Sequence, residues 1–261
     1  MFRGLRVALR VAHNFYGALG VFLVAGLAVA GVGTWAFSEL AEYVREGATQ
    51  AFDVAVLSWI GAHQERWLGA AMLEITALGT GLVVFMMVAI AALFLALTRH
   101  HFSAILLLAA TAGGLVLNTI LKAYFDRPRP HVFTWGAHAV STSFPSGHSM
   151  NAVIVYATVA YLAARLERRR WTRWLTLFAA FLVIALICAS RLYLGVHYPS
   201  DVLGGLLIGL TWAAFCMATL EAIQRFLPRR PAGDALVEEP PAGRSAGERA
   251  PATRAPTARR G

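Results

Sequence analysis

The sequence predicts an all-α integral membrane protein: a six-transmembrane-helix bundle with a polar site at its outer membrane–water interface. Three observations carry that expectation. The 261-residue chain is 58% hydrophobic and only 14% charged, whereas soluble domains carry roughly 25% charged residues. Its mean hydropathy is +0.59. Six stretches approach the ~20 apolar residues that a helix needs to cross a bilayer: 15–37, 75–97, 103–121, 149–165, 174–190 and 202–222.

The first span follows a short cytoplasmic N-terminus, 1–14. The leading "RGLR" and an "AVA" ending at Ala30 imitate a signal peptide, but the apolar run is longer than a signal core, so the reading is an uncleaved anchor. Within 40–70, "AFDVAVLSWIGAHQERWL" mixes apolar and charged residues at helical spacing. That pattern suits a helix lying on the outer leaflet, or a loop helix packed on the bundle. The third and fourth spans are separated by "KAYFDRPRPHVFTWGAHAVSTSFPSGH", whose prolines and glycines exclude a continuous helix. Beyond the membrane domain, 15–222, the stretch 223–261 is rich in Pro, Ala, Gly and Arg without apolar periodicity. It reads as a disordered basic cytoplasmic tail. Cys188 and Cys216 fall inside apolar stretches with neither metal-ligand spacing nor a disulfide framework, and read as packing residues.

Charge sets the orientation. Arg3, Arg6 and Arg10, then Arg99, then Arg165, Arg168, Arg169, Arg170 and Arg173, then Arg225, Arg229 and Arg230 occupy one set of loops; Glu39, Glu42, Glu46, Asp53 and Glu65 occupy the alternate set. The positive-inside rule then places both termini in the cytoplasm. Net charge is +9, but the basic residues lie in short clusters between apolar runs, which argues against a nucleic-acid partner. Lys122, Arg127, Arg129 and Arg191 fall on the outer side, against the rule. Ionisable groups beside hydrocarbon are costly, so by default they mark function.

Three polar clusters meet on that side: "KAYFDRPRP", "SFPSGHS" and "SRLYLGVHYPSD". Lys122, Arg129 and Arg191 offer many N–H donors, and arginine forks match phosphate oxygens. Ser146 and Gly147 stand where a helix begins, so backbone N–H groups and the helix dipole favour an anion there. His148 and His197 are titratable side chains whose unperturbed pKa, about 6.5, lies near neutrality. Asp201 follows His197 by four residues; a helix starting near Pro199 turns the carboxylate back towards the imidazole. A carboxylate on one ring nitrogen fixes the tautomer and leaves the other nitrogen nucleophilic. Together these residues form a phosphate cradle with an activated nucleophile. No carboxylate pair or histidine cluster suggests a two-metal site.

These residues resemble the type-2 phosphatidic acid phosphatase superfamily. Its first motif, a lysine, six residues and Arg-Pro, matches Lys122 to Pro130; its second, Pro-Ser-Gly-His, matches Pro145 to His148. The third, Ser-Arg, five residues, His, three residues and Asp, matches Ser190, Arg191, His197 and Asp201. The likeness runs from near Thr76 and Gly79 in "EITALGTG" to the sixth span. The resemblance implies that His197 attacks phosphorus to form a phosphohistidine, with Asp201 orienting it. His148 would protonate the leaving oxygen and then deprotonate water. Lys122, Arg129, Ser146, Gly147 and Arg191 would hold the phosphoryl oxygens, with no metal and no cofactor. Arg127, outside the motif, reads as a solvated or phosphate-adjacent charge.

The implied activity is hydrolysis of a lipid phosphate or diphosphate at the periplasmic face of a bacterial inner membrane. The expected substrate is undecaprenyl diphosphate, with phosphatidic acid, phosphatidylglycerophosphate or lipid phosphotransfer as alternatives. From another class, a non-catalytic anion-binding or transport protein would explain the cations but not Asp201 behind His197.

Overall fold

The structure, a computed structural model, describes residues 24, 26–134, 137 and 141–226. The regular elements among them are all helical. They are α1 (26–45), α2 (Gln50–Ala62), α3 (Arg66–Ala77), α4 (Gly81–Leu97), α5 (His101–Phe125), α6 (Gly147–Ala152), a π-turn at Val153–Ala157, α7 (Thr158–Leu166), α8 (Arg170–Tyr193) and α9 (Pro199–Phe226). Through the π-turn, α6 and α7 form one apolar helix, Gly147–Leu166.

Four helices among the described residues are long and apolar enough to cross a membrane: His101–Phe125, Gly147–Leu166, Arg170–Tyr193 and Pro199–Leu220. The pair α3 and α4 passes the same test only jointly, and it bends by 46° at its break. The expected span 75–97 is therefore α4 together with this break. The first part of the expected first span, 15–23 with residue 25, lies outside the described residues, as do the segment 1–14 and the tail beyond Phe226. The described residues thus hold four or five candidate spans where six were expected.

The helices outrun their hydrophobic windows by a few residues. α5 continues to Phe125 and ends on Asp126, whose φ is 42°; Pro128 and Pro130, which cannot continue a helix, follow. α8 runs through Arg191 to Tyr193, and α9 begins at Pro199, where proline's fixed φ suits a first turn. Lys122, Arg191 and Asp201 therefore stand on rigid helix ends rather than in loops. Between α8 and α9, Gly195 takes φ +70°, and a Cβ there would meet Phe133 at 2.5 Å; both features demand glycine.

Residues 40–70 divide between the end of α1, α2 and α3. α2 is packed on the bundle: Asp53 and Leu57 are fully buried, while Phe52 and Trp59 face outward. α1 packs through Phe37, which stacks on Phe144 at 5.7 Å and meets Phe125 edge-on at 6.2 Å.

The core joins α1, α4, α5, the Gly147–Leu166 helix and α9. In hydrocarbon there is no hydrophobic drive between helices, so small residues that permit close approach do much of the packing. Gly205 and Gly209, four residues apart on α9, face the backbone of the Gly147–Leu166 helix. A Cβ on Gly205 would sit 2.5 Å from the Ser146 carbonyl oxygen, and one on Gly209 would sit 3.0 Å from that of Met150. Apolar side chains such as Phe85, Ile90, Ile105, Phe178 and Phe181 point outward, as lipid-facing surface should.

Because backbone cannot yield as a side-chain tip can, Gly205→Ala should cost about 1–3 kcal/mol. Its thermal transition in detergent should fall by several degrees. Gly31→Ala, where a Cβ meets nothing within 4 Å, should leave the transition in place.

Candidate active site

The end of α5, the start of the Gly147–Leu166 helix, the end of α8 and the start of α9 lie together, with the α3–α4 break beside them. They enclose a cavity of about 480 Å³. It is lined by Lys122, Arg129, Gly147, His148, Arg191 and His197, so the three sequence clusters converge as expected. Ser146 and Asp201 are fully buried behind it.

His197 is 1% exposed. Its Nε2 lies 3.2 Å from Arg129 Nη1. Arginine has no acceptor, so Nε2 must present its lone pair and the ring proton belongs on Nδ1. Nδ1 faces Asp201 Oδ2 at 3.6 Å, an ion-pair distance longer than a hydrogen bond, and Ser143 Oγ at 3.4 Å. Burial pushes the His197 imidazole down to about 4; Asp201 opposes the shift, while Arg129 and Arg191 add to it. The ring is thus neutral at pH 7.

Asp201 is held on both oxygens. Oδ1 accepts from Arg127 Nη1 at 2.7 Å. Oδ2 accepts from the Tyr198 N–H at 2.8 Å and from Ser143 Oγ. A carboxylate so engaged cannot rotate away from the imidazole.

The cations are tethered by their surroundings. Arg129 donates to the carbonyls of Ser141 and Val196, both at 2.6 Å. Lys122 Nζ donates to the Thr142 carbonyl, and Thr142 Oγ1 returns a bond to the Lys122 carbonyl at 3.1 Å. Arg191 is 3% exposed and donates Nη1 to Thr76 Oγ1 at 2.7 Å. Its Nε is buried with no hydrogen-bond partner among the described residues, a donor held in reserve for an acceptor.

Ser146 caps the helix rather than facing the cavity. Its Oγ accepts from Ser149 N at 3.5 Å and Ser149 Oγ at 3.0 Å. Its N–H donates to the Asp201 carbonyl at 2.9 Å, joining the second and third motifs. His148 is steadied from the α3–α4 break: a Cβ on Gly79 would lie 2.9 Å from His148 Cδ2. Tyr156 Oη holds that break by donating to the Leu78 carbonyl at 2.9 Å.

Several residues enter without a motif. Ser143 contacts Asp201, Thr76 anchors Arg191, and Asn118 joins Lys122 on the cavity wall. Asp53 reaches the site through Arg127, 2.9 Å away. Its signal in the sequence is a carboxylate inside the apolar run "AFDVAVLSWI", which by cost alone asks for a partner. Arg127, expected as a solvated or phosphate-adjacent charge, is 10% exposed at its side chain and bonds to two carboxylates. Among the described residues, no group of three His, Cys, Asp or Glu side chains could hold a metal ion.

The family model of the PAP2 superfamily matches residues 103–225. Phosphatidylglycerophosphatase B of Bacillus subtilis (strain 168) is 34% identical over 191 residues, covering 73% of this chain and 94% of that protein. This chain belongs to the PAP2 superfamily. The undecaprenyl-diphosphatase BcrC of the same organism is 34% identical over 103 residues, 38% of this chain and 48% of that protein. The crystal structure of a transmembrane PAP2 type phosphatidylglycerolphosphate phosphatase from Bacillus subtilis matches with a TM-score of 0.72 and 32% identity. It covers 76% of this chain and 98% of that one. The protein is accordingly a membrane phosphatase, a hydrolase with apolar helices long enough to span a bilayer.

The ring's setting has a direct readout. In histidine-labelled protein, with His197→Gln supplying the assignment, the His197 NMR signals should show the Nδ1–H tautomer at pH 6. Protonation should come only as pH falls through about 4. Titration near the ordinary 6.5 would contradict this burial.

Proposed function

We propose that this PAP2 protein hydrolyses a lipid phosphate by double displacement through His197. The observation that carries the reading is the His197 ring itself, with Nδ1 turned to Asp201 and Nε2 turned into a cavity that also holds Lys122, Arg129 and Arg191.

A phosphoryl group entering the cavity competes for Arg129 Nη1 and so frees the Nε2 lone pair. Nε2 attacks the terminal phosphorus as its bond to the leaving oxygen breaks, the lipid alcohol's oxygen in a monophosphate or the bridging oxygen in a diphosphate, and His148 supplies the proton that oxygen takes. The phosphohistidine retains its proton on Nδ1, against Asp201. His148, now neutral, takes a proton from water. The resulting oxygen nucleophile attacks phosphorus, the N–P bond breaks and inorganic phosphate leaves. Lys122, Arg129, Arg191 and the backbone at Gly147 stabilise the equatorial oxygens, whose charge is greatest in the transition state. Ser146 serves by capping the helix that presents Gly147 and His148.

We place the cavity at the periplasmic face of a six-span protein with both termini cytoplasmic. The arginine-rich turns support this, since Arg99, Arg165, Arg168, Arg169, Arg170 and Arg173 lie at the helix ends opposite the cavity, as the positive-inside rule asks. Two lipids have support. Undecaprenyl diphosphate is the substrate first expected from the family resemblance, and a relative named for it matches this chain in part. Phosphatidylglycerophosphate is favoured by the relative matched along 94% of its length.

Purified His197→Gln protein should lose phosphate release by on the order of 10⁴-fold while still binding the lipid. Undiminished release would overturn the nucleophile assignment and leave an anion-binding protein as the better account. With wild-type protein, parallel release assays on undecaprenyl diphosphate, phosphatidylglycerophosphate and phosphatidic acid should give a higher kcat/KM for one of the first two. A preference for phosphatidic acid would refute both substrate readings.

A further inference from the structure

Arg127 and Asp53 belong to no motif, and neither lines the cavity. Asp53 also lies outside the residues matched by the family model. A carboxylate with no exposed surface is expensive unless paired and hydrogen-bonded, and Asp53 is both. Its Oδ1 accepts from the Ser200 N–H at 3.0 Å, and its Oδ2 accepts from Ser200 Oγ at 2.5 Å and Arg127 Nη2 at 2.9 Å. Ser200 stands in the first turn of α9, one residue before Asp201. Asp53 thus caps that helix from α2 and anchors Arg127 at the same time.

Arg127 spreads its fork between the two carboxylates. Nη1 donates to Asp201 Oδ1 at 2.7 Å and Ser200 Oγ at 2.8 Å. Nη2 donates to Asp53 and, at 3.3 Å, to Gln50 Oε1. Its guanidinium lies over the Tyr198 ring, 4.2 Å from the centroid. With Arg127 on Oδ1, the other edge of Asp201 is left to face His197 Nδ1.

We propose that Asp53 and Arg127 are positioning residues for the nucleophile, acting on His197 through Asp201. The proposal rests on His197 being the nucleophile. Charge balance gives the reason for a second carboxylate. With two carboxylates and one guanidinium, Asp53, Arg127 and Asp201 together carry a single negative charge. The imidazole ring becomes cationic as its N–P bond forms, and the sum then reaches zero. Without Asp53, the Arg127 charge would neutralise Asp201 and leave the forming cation uncompensated in a buried site. Asp53 shares that charge, so Asp201 keeps its strength as a partner for the ring.

The test is a kinetic cycle on purified full-length protein, using whichever lipid proves the better substrate. Asp53→Asn should lower kcat by about 10–100-fold, the range typical of supporting-residue substitutions. KM should stay within about twofold, because the cavity cations keep their tethers. In an Asp201→Asn background, the Asp53→Asn substitution should add little, since its route to His197 is already cut. Where Asp53→Asn fails to fold, Arg127→Lys carries the test: it keeps the charge but not the two-carboxylate fork, and kcat should fall likewise. An unchanged kcat, or the same loss in the Asp201→Asn background, would overturn the proposal, since a merely structural role gives additive effects. His197→Gln run alongside separates the two readings. If that protein remains active, the nucleophile assignment fails and this proposal falls with it. If it is dead while Asp53→Asn keeps full kcat, this proposal alone is wrong.

Discussion

A single backbone hydrogen bond, from the Ser146 N–H to the Asp201 carbonyl, ties together the starts of two membrane helices. Much of the molecule is arranged so that this bond can form. It requires the Gly147–Leu166 helix and α9 to approach at backbone distance, which Gly205 and Gly209 permit and a larger residue would strain. Phe144, fully buried, fills the space against Gly204 and is covered in turn by Phe37 and Phe125. Residues 141–147 are thereby pinned between α1, α5 and α9. His148 and His197, which start nearly fifty residues apart in sequence, then share a cavity by construction of the helix pair.

The electrostatics follow from that pinning. Three cations crowd one cavity, where they repel one another and each has surrendered water. The structure offsets this locally, with backbone carbonyls for Lys122 and Arg129 and a threonine hydroxyl for Arg191. None of these partners carries a full negative charge. The cavity is therefore left with a net positive lining, which suits the anionic substrate proposed for it. The negative groups, Asp53 and Asp201, are outside the cavity lining and paired with Arg127, so under the proposed function they would not cancel an attraction for phosphate.

The convergence of the candidate site residues was legible because they are coded by short spacings at helix ends. Lys122 and Arg129 flank the end of α5, Ser146 to His148 open the next helix, and His197 and Asp201 open α9. Local spacing of that kind survives in a linear text. What stayed hidden was pairing at long range. Asp53 meets Ser200 across 147 residues, Thr76 meets Arg191 across 115, and Arg127 meets Asp201 across 74. Four or five of the six expected spans correspond to candidate spans among the described residues, but their ends were not legible, because the helices carry charged residues past the apolar windows. The 46° break between α3 and α4 was hidden too. "TALGTG" reads as apolar and small, and nothing in it announces a change of direction at His148.

The stack of Phe37 on Phe144 bears on where the protein's functional module begins. The family model draws that boundary at residue 103, although the similarity to phosphatidylglycerophosphatase B is longer, at 191 residues. A fragment cut there would lack Phe37, Asp53, Thr76 and Gly79. The aromatic face beside the Pro145–His148 loop would be left bare, one side of the helix cap at Ser200 would be open, and Arg191 would be unanchored. All the motif residues would be present, yet the fragment would not be expected to hold them in register. In this chain the span matched by the family model is smaller than the folding unit, and the helices before it serve as the wall against which the site is braced.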